Sequence, residues 1–191
     1  MGCRLFVTGF GPFRGVERNP SREIARALEV RGLGPAVEVI AAELPVTFAA
    51  VAPAIDAALA RLERPPDVLL GLGVLSRGEN FRLERRARGV FDATRPDNEG
   101  ATGAGIDLGP ERSTNWDLER LAERMRTAGA GEVTISDDAG RYVCERAYLH
   151  LLTRAESLGA RALFLHVPRL EFIELERQIA CVTALAKELC T

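Results

Sequence analysis

The chain has 191 residues, 47% of them hydrophobic and 27% charged, a balance that suits a soluble globule with a sizeable core. A formal net charge of −2 and 6% aromatic residues argue against a nucleic-acid partner, which calls for a basic stripe with aromatics where bases stack. No segment approaches the roughly 18 uninterrupted apolar residues of a membrane helix, so no membrane partner is expected.

The N-terminal residues enter an apparent strand at once, which leaves no secretory leader. Phe6 stands where a myristoylation signal needs Ser or Thr, and Cys190 is misplaced for prenylation. The chain therefore reads as cytoplasmic. Lys187 is the only lysine, so nearly all positive charge is arginine, a trait of composition rather than of a binding patch. Four cysteines at irregular spacing make neither a disulfide framework nor a metal pair, and each reads separately as packing or chemistry.

In chain order, residues 4–8 form a short apolar strand that ends in the turn Gly9-Phe10-Gly11-Pro12-Phe13. Asn19-Pro20-Ser21 starts a helix with Ile24, Ala25 and Leu28 on one face. Residues 37–42 read as a strand and 47–61 as a helix. After Pro65-Pro66, residues 67–71 form a buried strand closed by a glycine-rich turn. Residues 80–93 look extended, as a hairpin or an edge strand. The stretch 94–114, rich in Gly, Pro, Asp and Asn, is long enough for a functional loop. A helix over 116–127, a strand over 132–136, a helix over 141–158, a strand over 161–165 and a closing helix over 171–189 complete the chain. This alternation predicts one domain over residues 1–191, a three-layer α/β/α sandwich around a mostly parallel, twisted mixed sheet. Sites in such sheets gather outside the carboxyl ends of the strands, which selects the turns 9–13, 71–79, 136–144 and 166–169.

Cys144 follows the strand 132–136 at the start of a helix, where free amides and the helix dipole favour an anion and predict a depressed thiol pKa. Cys3, Cys181 and Cys190 read as packing or surface residues. Of the two histidines, His150 lies six residues along the same helix, roughly 240° around and about 9 Å up the axis, so it cannot meet Cys144. It reads as a half-exposed helix residue. His166 closes the strand 161–165 at the end of the sheet from which the Cys144 helix departs, and is the candidate base. Such a base needs a third group to fix its tautomer, and Glu84, Asp92, Asp97, Asp137 and Asp138 are all candidates.

Four stretches then carry a resemblance that spans nearly the whole chain. They are Val7-Thr-Gly-Phe-Gly-Pro-Phe13 with Asn19-Pro-Ser21; Glu84-Arg85, Ala87, Asp92-Ala93 and Pro96-Asp-Asn-Glu-Gly100; Asp138-Ala-Gly-Arg-Tyr-Val-Cys144; and Phe164-Leu-His-Val-Pro168. In order and spacing they resemble the pyroglutamyl-peptidase I family of cysteine peptidases. The resemblance implies a cysteine hydrolase that needs no cofactor or metal and removes an N-terminal pyroglutamate from peptides. It implies Cys144 as nucleophile, His166 as base and Glu84 as the orienting carboxylate, and it suggests a homo-oligomer. Phe10 and Phe13 would hold the pyrrolidone ring, and Leu72, Tyr142 and Val143 complete the expected substrate-binding set.

Several positions depart from the family pattern. Leu72 replaces its usual Gln, and Val74-Leu75-Ser76-Arg77 replaces its Gly-Gly-Arg, with one more residue before Glu84. Thr94 replaces its Arg, with Arg95 displaced by one; Gly89 and Glu145 each replace an Asn. The competing readings are a thiol amidase or deamidase with another small amide substrate and a non-catalytic peptide-binding protein on the same scaffold. A dinucleotide enzyme built on Gly71-Leu-Gly73 is a weaker rival, because Ser76 stands where the third glycine belongs.

Overall fold

The computed structural model of the chain describes residues 2–75, 78–92, 94–104, 106 and 109–191; Ser76, Arg77 and Ala93, named above, lie outside the described residues. Its strands are β1 (Cys3–Phe10), β2 (Val37–Leu44), β3 (Val68–Val74), β4 (Phe81–Glu84), β5 (Arg86–Ala87), β6 (Arg112–Ser113), β7 (Val133–Ser136) and β8 (Arg161–Val167). The helices are α1 (Pro20–Arg31), α2 (Val51–Leu59), α3 (Leu118–Thr127), α4 (Val143–Leu158) and α5 (Leu175–Leu189). Six strands form one sheet in the order β2-β1-β3-β8-β4-β7, and β5 and β6 form a separate short pair. Four of its five strand pairs are parallel; only β4 against β8 is antiparallel.

Side chains alternate across a strand, and that alternation sorts the sheet's two faces. Leu5, Val7, Leu70, Leu72, Leu83, Leu163 and Leu165 share one core with residues of α1, α3 and α5. Phe6, Leu69, Ala162 and Phe164 share the other with residues of α2 and α4. By the same parity Gly71, Gly73, Arg82, Glu84 and His166 belong to the α4 face.

Two expectations change here. Residues 80–92 form no hairpin of their own: β4 is an inner strand of the main sheet, between β8 and β7, and β5 pairs with β6. Because β7 is parallel to β4, it runs against β8, and its carboxyl end does not share the rim where His166 sits. Residues 137–142 carry the chain back to that rim. Gly140 (φ 96°) and Arg141 (φ 52°) make this return in the left-handed region, which is also why α4 begins at Val143 and not at residue 141. The helices α2, α3 and α5 likewise begin two to four residues inside the predicted bounds.

The cysteines give a third correction. Cys3 and Cys190, read as packing or surface, form a disulfide across a sequence separation of 187 residues, with their Cα atoms 5.6 Å apart. Spacing could not reveal it, because the first strand and the last helix meet only in the fold. Among the described residues, no helix is long and apolar enough to cross a membrane.

Candidate active site

The turn after β1 is built by Asn19 and Ser21. Asn19 Oδ1 accepts from the Ser21 N–H and caps α1, while its amide donates to the Gly11 carbonyl at 3.0 Å. Ser21 Oγ accepts from the Phe10 N–H, also at 3.0 Å. A buried polar pair thus fixes the backbone that presents Phe10 and Phe13. A second clamp comes from Pro96-Asp97-Asn98. Asp97 accepts from the Phe48, Glu99 and Ala101 N–H groups, and Asn98 donates to the Pro12 carbonyl. Tyr142 closes the arrangement by donating its hydroxyl to the Pro96 carbonyl and packing edge-on against Phe48.

These segments enclose a cavity of about 250 Å³ lined by Phe10, Phe13, Asn19, Val46, Val74, Leu75, Arg82, Arg95, Ala139, Gly140, Tyr142, Val143, Cys144 and His166. That is smaller than the ≈ 300–1,000 Å³ of pockets for drug-sized ligands, and suits one small ring or side chain. Four of the five expected binding residues line it. Leu72 does not: it is fully buried and packs into the opposite core, because the period of two places Gly71 and Gly73, not Leu72, on the site's face.

Cys144 and His166 come together over Gly73. A Cβ on that glycine would lie 3.0 Å from Cys144 Sγ and 3.0 Å from His166 Cδ2, so at most twice that distance separates sulfur and imidazole. Gly73 is the gap that lets them face each other. His166 is buried, and its Nδ1–H donates to Glu84 Oε1 at 2.7 Å; the carboxylate only accepts, so this bond assigns the proton to Nδ1 and leaves Nε2 as the second ring nitrogen. Glu84 is fully buried, and the same Oε1 accepts from Arg82 Nε at 2.7 Å. Its Oε2 has no partner, and its backbone carbonyl accepts from the Tyr148 hydroxyl. Asp92, Asp97, Asp137 and Asp138 make other contacts: Asp97 holds its loop, Asp137 pairs with Arg85 and Arg86, and Asp138 with Arg88 and Arg141. His150 is half-buried on α4 and hydrogen-bonds Asp56 at 2.9 Å.

The predicted depression of the Cys144 thiol does not hold. Burial pushes it up to about 12; Arg95 and Arg82 pull it down and Glu84 pushes it further up, but desolvation is the largest effect. A helix start favours an anion, yet here the thiolate would also lose its water. Burial thus favours the neutral thiol of Cys144 over its thiolate. Tyr142 gives α4 no side-chain cap; the Glu145 N–H donates to the Tyr142 carbonyl at 2.9 Å, which leaves the Val143 and Cys144 N–H groups as the donors beside the thiol for an oxygen that gains charge.

Arg82 and Arg95 are lining residues that the sequence reading did not assign. Arg82 could have been found from parity alone, since it lies two positions before Glu84 on β4. Glu145, next to Cys144, is buried, and its Oε1 accepts from the Arg88 and Gly89 N–H groups. It fastens the segment after β5 to α4, and burial raises its pKa. Among the described residues no cluster of three or more His, Cys, Asp or Glu could hold a metal ion.

A family model described as pyroglutamyl peptidase matches residues 3–188. The pyrrolidone-carboxylate peptidase of Thermococcus onnurineus is 33% identical over 174 residues, covering 86% of this chain and 83% of its own. That of Clavibacter michiganensis is 34% identical over 169 residues, covering 86% and 78%. Among solved structures, the pyrrolidone carboxyl peptidase of Fervidobacterium islandicum AW-1 superposes with a TM-score of 0.88 at 26% identity, covering 98% of both chains. The Thermococcus litoralis enzyme gives a TM-score of 0.85 at 24% identity, covering 98% of this chain and 93% of that one, a likeness of fold.

Proposed function

We infer the reaction from one premise: the chain belongs to the pyroglutamyl peptidase family, and it is a cysteine peptidase of that family. Its substrates are peptides with an N-terminal pyroglutamate. Cys144 is the nucleophile, His166 the base and Glu84 the group that orients the imidazole. The observation that carries this reading is the buried Glu84–His166 hydrogen bond beside a cysteine at a helix start, all opening on one small cavity.

Because burial favours the neutral thiol, its proton passes to His166 Nε2 as sulfur attacks the carbonyl that joins pyroglutamate to the next residue. Glu84 holds the ring by Nδ1 and stabilises the imidazolium that forms. First-turn amides of α4 receive the developing oxyanion. His166 returns the proton to the departing amine, and water then cleaves the thioester. Phe10, Phe13, Val46 and Val143 supply the apolar contact for the ring, which is an uncharged lactam.

The test is hydrolysis of a pyroglutamyl fluorogenic amide, with a prolyl amide as control. The wild type is expected to cleave only the pyroglutamyl compound and Cys144→Ala to cleave neither; cleavage that survives the substitution refutes the mechanism. The reading sets the enzyme in the cytoplasm as a homo-oligomer. Sedimentation tests the second point. Titration of the Cys3–Cys190 bridge against a glutathione buffer tests the first, since a bridge opened at cytosolic poise argues for an oxidising home.

A further inference from the structure

The cavity carries positive charge that holding the neutral pyroglutamyl ring does not call for. Two guanidinium groups, Arg82 and Arg95, line it, and among the described residues no Asp or Glu does. Arg82 is largely spent: its Nε holds Glu84 and its Nη2 reaches the Asp138 carbonyl at 3.3 Å. Arg95 is not. Its guanidinium lies over the Tyr142 ring, 4.0 Å from the centroid, and among the described residues it forms no ion pair or side-chain hydrogen bond. Asp92 feels the charge of Arg95 without pairing with it, and the carboxylates near Arg95 in sequence spend their hydrogen bonds elsewhere. Asp92 Oδ1 accepts from both the N–H and the hydroxyl of Thr94, and both Asp97 oxygens accept from backbone N–H groups.

The stack also fixes where that charge points. Tyr142 is packed by Phe48 and tied by its hydroxyl to Pro96, so the ring under Arg95 is immobile. A guanidinium seated over such a ring face can offer its remaining donors to a planar bidentate acceptor. Arg95 is also near enough to Cys144 to pull its thiol pKa down, which puts the free cation close to the reacting carbonyl. The pyroglutamyl ring is neutral and is matched by the apolar lining, so the cation is not needed to hold the ring.

Resting on the pyroglutamyl-peptidase reading, we propose that Arg95, with the remaining donor face of Arg82 behind it, selects substrates with a carboxylate on the residue after pyroglutamate. Two sources offer this chemistry. One is an acidic side chain at that residue; the other is the free α-carboxylate of a pyroglutamyl dipeptide.

Three substrates separate them: pyroglutamyl-alanine amide, pyroglutamyl-glutamate amide and pyroglutamyl-alanine with a free carboxylate, each followed by release of the amino component. The wild type is expected to show a kcat/KM about 10- to 100-fold higher for a carboxylate substrate than for the neutral amide, the range charge-assisted hydrogen bonds deliver. Whichever acid gains identifies the source. The ratio should fall towards one in Arg95→Gln, recover in part in Arg95→Lys, and shrink in high salt. Equal rates on all three substrates by the wild type, or a preference that survives Arg95→Gln, overturns the proposal while leaving the peptidase reading intact. No cleavage of any of the three overturns the peptidase reading and this preference with it.

Discussion

At the amino end of the sheet nearly every polar group is spent. Arg4 uses Nε, Nη1 and Nη2 on Glu38 and the Arg64 carbonyl, and its N–H donates to Asp67. Arg161 stacks on Trp116, 3.3 Å from the ring centroid, and donates twice to Asn115; the Trp116 indole N–H is the exception, without a partner. The Cys3–Cys190 bridge then ties the two termini together. At the carboxyl end of β3 and β8 valences are left open: the Arg95 donors and the Val143 and Cys144 N–H groups at the start of α4. One end has its interactions completed by the chain, and the other waits for a ligand to complete them. Stability and activity should therefore respond separately to changes at the two ends.

The largest test is Glu84→Gln. An amide can offer its N–H₂ to the imidazole and favour the wrong tautomer, so kcat/KM is expected to fall about three orders of magnitude, near 4 kcal/mol. Steady-state hydrolysis checks it, and a loss below tenfold would show that Glu84 does not orient the base. Next comes Cys3→Ser. It frees a chain closed over 187 positions and should lower unfolding stability by about 2–4 kcal/mol while kcat/KM stays within twofold. Denaturant melts beside activity measurements decide it; equal damage to both would erase the contrast between the ends.

The last test concerns Cys144 itself, and the change at each step of pH is the smallest of the three. With its thiol raised to about 12, the thiolate fraction grows tenfold per pH unit at all pH values below that. Inactivation by iodoacetamide should therefore accelerate about tenfold per unit from pH 6 to 9 with no neutral plateau. A plateau below pH 8 would mean that an ion pair with His166 overcomes burial.

Much of the scaffold was legible because strands and helices announce themselves by period and by flanking Pro and Gly. Cys144 and His166 could be paired from sequence because both sit at element ends and His150 is excluded by helical geometry. Glu84 was not separable from four aspartates by spacing; only resemblance singled it out, since its role depends on a four-residue strand inserted between β8 and β7. Leu72 was misplaced by reading a turn where a strand continues to Val74, although parity with Leu70 would have turned it inward. The thiol pKa failed for another reason. A helix start is visible in sequence, but the desolvation that outweighs it is supplied by residues brought together only in the fold. The terminal disulfide, likewise, is a product of tertiary proximity alone.

The reversed strand has one more consequence. Arg82 pairs with His166 and Glu84 with Phe164 along the β4–β8 ladder, so the acid is indexed to the base rung by rung. The length of chain between β3 and β4 does not enter that indexing. Insertions or deletions in this connection can accumulate over evolution without displacing the carboxylate, whereas a single-residue slip inside β4 would turn it through the sheet to the far side.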